Sequence, residues 1–335
     1  MFGGGTDYPA WYRRHGGAVI GTTINKYCYI SIRTLPPFFD HAHRIVYSRI
    51  ELPHSIEDIQ HPSVRAVLQQ REIQTGVEVQ HHGDLPARSG MGSSSAFTVG
   101  LLNSVRAYQG FNSSPDWLAN EAIRIEQEVI REDVGSQDQI WAAYGGTNII
   151  RFATDGSFKV APVVLTNERR AELESHMLLF FTGLSRTAAT IARKQIANLD
   201  KSEAQLRLLQ QMVEEASDIL GDRNRSINEM GMLLHDAWKL KKELADAVSN
   251  PTIDGIFAAA MEAGAAGGKI LGAGGGGFIL LIADPSRHAR IRERLKSLIE
   301  VSFKTGSEGS KIVIFEPNGL EAQTTSIAFQ FNSGT

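Results

Sequence analysis

The amino-acid sequence predicts an α+β protein of two domains facing a shared cleft, and three features point that way. At 335 residues the chain exceeds the roughly 100–200 residues of an ordinary single domain. Its early part carries β-type patterning, which gives way after Gly92 to apolar residues at helical spacing. Apolar strands then return among long helices in the second half.

Taken in order, residues 18–33 are rich in Val, Ile, Thr and Tyr with partial alternation, and 44–52 and 76–80 repeat that character, so all three read as strands. Phe97, Leu101, Leu102, Val105 and Tyr108 recur at intervals of three and four, predicting a helix that stops at Gly110. Ser114 followed by Pro115 predicts the cap and first turn of the next helix. A boundary near Asn167 divides the chain into 1–167 and 168–335. In the second part, 168–176 leads into an apolar strand over 176–182, and helices are expected over 187–220 and 226–248. The latter carries Leu233, Leu234, Ala237, Leu240 and Leu244 on one face. Strands over 279–283 and 311–315 flank a helix near 285–299.

Composition narrows the class of function. A formal net charge of −3 offers no overall field to draw in nucleic acid or an anionic membrane, so attraction for phosphate must be local. The single Cys28 forms no internal disulfide, and no Cys/His cluster has zinc spacing. The first residues lack a basic start and apolar run, and no stretch approaches the ~20 apolar residues of a membrane helix. A cytoplasmic protein with a small-molecule partner, and neither nucleic acid nor membrane, is expected; self-association into a homo-oligomer is left open.

Four segments carry candidate chemistry. Leu85-Pro86-Ala87-Arg88-Ser89-Gly90-Met91-Gly92-Ser93-Ser94-Ser95-Ala96 is a Gly/Ser loop running into an amphipathic helix. Free N–H groups, a positive dipole end and open glycine backbone make such a junction a phosphate cradle, although a Ser-capped helix after a flexible loop would look the same. Lys269 to Phe278 formally contains G-x-G-x-x-G, but a strand rather than a helix follows, so it is not a dinucleotide fingerprint; a hinge or a binding loop both fit. Glu126 and Asp138 flank a Gly-containing turn, where one carboxylate could hold magnesium and the other handle a hydroxyl proton, unless both are simply solvated. Phe2-Gly3-Gly4-Gly5-Thr6-Asp7-Tyr8-Pro9 leaves backbone open beside a carboxylate able to accept from sugar hydroxyls, or is a capped turn.

In order and spacing these segments resemble the signature motifs of the galactokinase/homoserine kinase/mevalonate kinase/phosphomevalonate kinase (GHMP) superfamily. Gly90–Ala96 looks like its ATP-phosphate motif, Gly272–Gly277 like its third motif, and Gly135-Ser136-Gln137-Asp138-Gln139 like the segment bearing the catalytic aspartate. The resemblance implies a two-domain fold, with a ribosomal protein S5 domain 2-like first domain and a ferredoxin-like second, and ATP and Mg2+ as cofactors. It implies Asp138 as catalytic residue; Ser89, Gly90, Met91, Gly92, Ser93, Ser94 and Ser95 at ATP; and Ser94 with Glu126 at the metal, with Ser93, Ser95 and Glu128 as near alternatives.

Phe2–Pro9, Thr182-Gly183-Leu184-Ser185-Arg186 and Lys269–Phe278 most resemble the D-glycero-D-manno-heptose 7-phosphate kinases, which phosphorylate the anomeric O1 of a sugar phosphate for nucleotide-heptose and surface polysaccharide synthesis. Gly4, Gly5, Thr6, Asp7, Arg186, Gly274 and Gly275 are then the substrate contacts, although Arg186 also fits an ordinary surface residue. A kinase of an unphosphorylated fucose- or galactose-type sugar, or a sugar-binding regulator with weak turnover, would share this scaffold. One departure stands out: family members carry a strand with a basic residue before the first glycine motif, whereas here Met1-Phe2 precedes it. Either the start is truncated or misassigned, or Lys26 or another cation serves.

Overall fold

The computed structural model describes residues 1–184 and 188–316, without the side chains of 188–190. The chain opens with α1 (Pro9–His15), which carries Pro9 in its first turn, followed by β1 (Gly17–Thr22), β2 (Cys28–Thr34), β3 (Arg44–Val46) and β4 (Ile50–Glu51). Next come α2 (Pro62–Gln70), β5 (Val77–Gly83), α3 (Ser93–Tyr108) and α4 (Pro115–Arg124). The last runs into a single π-turn over Ile125–Val129, and α5 (Gln137–Tyr144), β6 (Thr147–Phe152) and β7 (Phe158–Pro162) complete the first half. Two sheets result, ordered β1-β6-β7 and β2-β5-β3-β4, with β3 and β5 parallel and the other neighbours antiparallel.

The expected strand over 18–33 is thus two strands in different sheets. Between them the backbone leaves the ladder to meet distant chain, with Thr23 N–H donating to Gly146 O at 3.0 Å and Asn25 N–H to Lys304 O at 3.0 Å. Sequence patterning missed β6 and β7, although β6 pairs with β1 along its whole length.

The second half contains α6 (Asn167–His176), capped by Thr166, then β8 (Met177–Phe181), α7 (Ala188–Ala197), α8 (Glu203–Gly221), α9 (Ile227–Glu243) and α10 (Pro251–Glu262). It continues with β9 (Gly267–Ile270), β10 (Phe278–Ile282), α11 (His288–Arg294) and β11 (Ile299–Glu300). Its sheet, ordered β11-β8-β10-β9, is antiparallel throughout. The long helix expected over 187–220 is broken by a 3-10 turn at Leu199–Ser202, where Asn198 donates its side-chain amide to Leu244 O at 3.1 Å. Residues 311–315 form no strand: Ile312, Val313, Ile314 and Phe315 are exposed, and the β-branched Ile312, Val313 and Ile314 pair with no strand among the described residues.

One apolar core gathers Ile20 of β1, Ile150 of β6, Val213 of α8 and Leu234 of α9, so it draws on both sides of the proposed division at Asn167. Each fully buried Leu, Ile or Val in it contributes about 1.5–3 kcal/mol. A smaller core beneath β8, β10 and β9 holds Phe180, Trp238, Phe257, Ile279 and Leu281, with Trp238 stacked on Phe257 at 5.4 Å. Helix α9 serves both cores, and a capping box of Ser226 and Glu229 sets its start. Its C-terminal turns are thereby held against the cleft.

Candidate active site

A cleft of about 2990 Å3 runs between the two halves and is lined by Gly4, Asp7, Gly92, Ser93, Asp138 and Lys241 among others. It is several times larger than the ~300–1,000 Å3 of an ordinary ligand pocket, so two substrates fit. At its centre lies the start of α3. The residue before that helix is Gly92, held at φ +68°, and no side chain caps the helix. Its first N–H groups therefore keep free hydrogen-bonding capacity and the positive end of the dipole in the cleft. A Cβ at Gly92 would lie 3.2 Å from the Asp138 carboxyl carbon, so backbone and carboxylate meet where only glycine leaves room.

Asp138 sits in the first turn of α5, in reach of the cleft yet walled by protein. Its carboxyl is exposed to the cleft, yet desolvation by the protein packed around it, then the charge of Asp7, raises its pKa to about 6, while Lys241 pulls the other way. Asp7, only 3% exposed, accepts from Gly5 N–H at 2.9 Å, and its own carbonyl accepts from Ser136 N–H at 3.0 Å. A Cβ at Gly135 would overlap the Asp7 carboxylate. The first glycine segment and the segment before Asp138 are in this way stitched together. Tyr12 and Gln127 add hydrogen bonds to the Ser136 hydroxyl at 3.1 and 3.0 Å.

Glu126 lies in the π-turn, 1% exposed, while Glu128 points outward. Its Oε2 accepts from the Ser95 hydroxyl at 2.9 Å and from Gln139 Nε2 at 2.5 Å; Oε1 is buried without a partner. Burial raises its pKa to about 7 against the pull of those donors. A buried carboxylate with one empty oxygen beside serine hydroxyls and an uncapped helix start suits a hard cation that takes its other ligands from phosphates and water. Among the described residues no cluster of three or more His, Cys, Asp and Glu could hold a metal unaided.

The remaining expectations divide. Gly4, Gly5 and Asp7, and Gly90, Met91, Gly92, Ser93, Ser94 and Ser95, line the cleft. Ser94 faces it and is exposed, but the hydroxyl that meets Glu126 belongs to Ser95, since one helical step turns Ser95 inward. Ser89 is a correction: it is buried, its hydroxyl donates to Pro86 O at 2.7 Å, and it faces the protein. So is Thr6, whose hydroxyl is consumed by Gly3 O at 2.8 Å and Ala18 O at 2.9 Å. Gly274 and Gly275 turn away from the cleft, with Gly275 N–H donating to Val248 O at 2.8 Å; Leu271, Gly272 and Ala273 line it instead. Arg186 lies outside the described residues.

Lys241 and Lys269 went unrecognised in the sequence. Lys241 follows Leu234 and Ala237 by seven and four residues, which puts a lysine on the apolar stripe of α9. That mismatch was its signal. Lys269 stands in the buried strand β9, and its Nζ donates to Met1 O at 3.0 Å. Burial lowers the pKa of both amines, and Asp7 opposes it. Lys26 lines the cleft in the loop before β2.

With this geometry in view, comparison with known proteins is informative. The profile of the GHMP kinases N terminal domain matches residues 61–146 and that of the GHMP kinases C terminal matches 212–300, together just over half of the chain. A D-glycero-alpha-D-manno-heptose 7-phosphate kinase of Campylobacter jejuni is 25% identical over 307 residues, covering 88% of this chain and 90% of that one. The bifunctional fucokinase/GDP-fucose pyrophosphorylase of Arabidopsis thaliana is 25% identical over 90% of this chain and 31% of its own. Among solved structures, a D-glycero-D-manno-heptose 1-phosphate kinase from Bacteroides thetaiotaomicron superposes with a TM-score of 0.74 at 22% identity, over 93% of this chain and 96% of that one. Both family profiles, and a fold shared over most of the chain with a kinase of this kind, place the chain in the GHMP kinase family, ATP-dependent phosphotransferases whose acceptor is an alcohol.

Proposed function

We propose that this protein moves the γ-phosphoryl group of ATP to a sugar phosphate, with the anomeric O1 of D-glycero-D-manno-heptose 7-phosphate as acceptor, in nucleotide-heptose and surface polysaccharide synthesis. The observation that supports this reading is the uncapped start of α3 lying against Asp138, an arrangement suited to binding phosphate beside a proton acceptor. The heptose phosphate named for the Campylobacter relative supplies the acceptor. A cytoplasmic setting, where ATP is available, belongs to the same reading.

Phosphoryl transfer asks mainly for positioning and charge compensation. The α3 amides and the Ser93 and Ser94 hydroxyls would cradle the ATP phosphates, and Asp7 would orient the sugar. Glu126 with Ser94 or Ser95 would hold magnesium, which when bound offsets charge on the β- and γ-oxygens. Asp138 would take the hydroxyl proton as the sugar oxygen forms its new bond to phosphorus and ADP departs. Its raised pKa, about 6, lets it be both ionised and basic near neutrality.

ADP release measured with ATP and a panel of free and phosphorylated heptoses and hexoses tests the assignment. Turnover is expected with the heptose 7-phosphate. Faster turnover of a free sugar would transfer the assignment to a fucose- or galactose-type kinase, and binding without ADP release would make the protein a sensor. In Asp138→Asn, kcat should fall by about 10²–10⁴ with ATP affinity within a few-fold; undiminished turnover removes Asp138 from the reaction.

A further inference from the structure

We propose that Lys241, reaching the cleft from the second half of the chain, is a catalytic cation that contacts the phosphoryl group during transfer; the inference rests on the kinase reading above. Lys241 is 7% exposed at the end of the α9 stripe, and its Nζ donates to the carbonyl oxygen of Gly272 at 2.6 Å. An ammonium group has three N–H donors, and this is its single hydrogen bond among the described residues. The other donors face a cleft wall: Nζ is 3.8 Å from where a Cβ would stand on Gly4, and Lys241 lines the cleft with Asp7 and Asp138. Both carboxylates act on it through charge, yet neither forms an ion pair with it.

A buried ammonium with spare donors and no direct counter-ion is costly unless an anion completes it. The place where it stands answers which anion. Asp7 and Asp138 frame the acceptor hydroxyl, and the α3 amides hold the donor phosphates, so what lies between is the group in transit. During transfer the bond between the γ-phosphorus and the ADP oxygen breaks with its electron pair leaving on ADP. The sugar oxygen forms the new bond to phosphorus, and the hydroxyl proton passes to Asp138. Lys241 keeps its own proton and donates hydrogen bonds to the phosphoryl oxygens. Its tie to Gly272 matters as well, because that loop packs against Gly90 of the phosphate cradle. The cation and the cradle are thus set relative to each other by backbone contact.

The facing charges are Asp7, Asp138, Lys269 and the Met1 amine, whose own pKa burial lowers to about 4. Lys241→Met, assayed with ATP and heptose 7-phosphate, should lower kcat by about 10²–10³ with the KM for ATP within a few-fold. Because the Lys241 charge holds the Asp138 pKa down, the acid limb of the kcat profile should also move to higher pH. A lysine acting only through the Asp138 charge would move that limb yet leave the plateau kcat above it near wild type, and one that only packs would lower thermal stability and change neither. A kcat within threefold of wild type, or an unmoved limb, overturns the proposal. Should Lys241→Met not fold, Lys241→Gln, of similar length and polar but uncharged, takes its place: at least tenfold slower turnover with the acid limb moved to higher pH supports the role, and a smaller loss or an unmoved limb overturns it. If the wild type releases no ADP with any sugar, it is the kinase reading that fails, and this inference with it.

Discussion

Asp138 shows how one residue can work against the fold that holds it. Its pKa is raised from 3.8 to about 6 by the protein packed around it and then by Asp7, and because the carboxyl itself opens to the cleft, water screens part of the effect on stability. A carboxyl raised in this way favours the folded state when protonated. Its contribution is full below about pH 4 and is lost as pH rises through about 6. The ionised form that the proposed role requires is therefore the form the fold disfavours, a common trade at active sites. Asp138→Asn should accordingly melt at a higher temperature than wild type at about pH 7–8, the gap closing by about pH 4. Thermal melts across that range check this, and a gap independent of pH would contradict it. Asp138 was legible because turn, glycine and carboxylate stand together in sequence. Lys241 was not, because its neighbours Asp7 and Asp138 lie more than a hundred residues away.

Among the elements, the glycine tract shows most clearly what spacing can and cannot convey. Its departure from a dinucleotide fingerprint was readable, since β10 follows directly. What its glycines touch was not. Gly277 is held at φ +88°, and a Cβ there would overlap the carbonyl oxygen of Ser89 in the phosphate loop. Gly277→Ala should cost about 1–3 kcal/mol through strain and displace the loop. We expect a lower Tm together with a raised KM for ATP. An alanine accepted with both unchanged would show that the two loops do not depend on each other. The same logic explains Gly274 and Gly275, which satisfy Val248 rather than a substrate.

Across the whole molecule, the cleft takes its amides and carboxylates from the first half and Lys241 and the Gly272 loop from the second. One apolar core binds the two halves. A ligand spanning the cleft should therefore stabilise the protein as a unit. A non-hydrolysable ATP analogue at a hundred times its Kd contributes about 2.7 kcal/mol, and we expect a single melting transition to move upward. Two transitions, of which the analogue shifts only one, would mean that the halves unfold independently.

The sequence by itself determined the α+β class, the Gly/Ser loop that opens α3 and the glycine tract before β10. Each depends on rules acting over a few residues: helical periodicity, free N–H groups at a helix start, and backbone freedom at glycine. Tertiary structure alone decided that Ser95 rather than Ser94 meets Glu126, that Thr6 and Ser89 serve the interior, that residues 18–33 divide between two sheets, and that a lysine of α9 lines the cleft with Asp138. These outcomes follow from how a shared core seats distant elements against each other, and a shift of one helical step, about 100°, exchanges an inward side chain for an outward one.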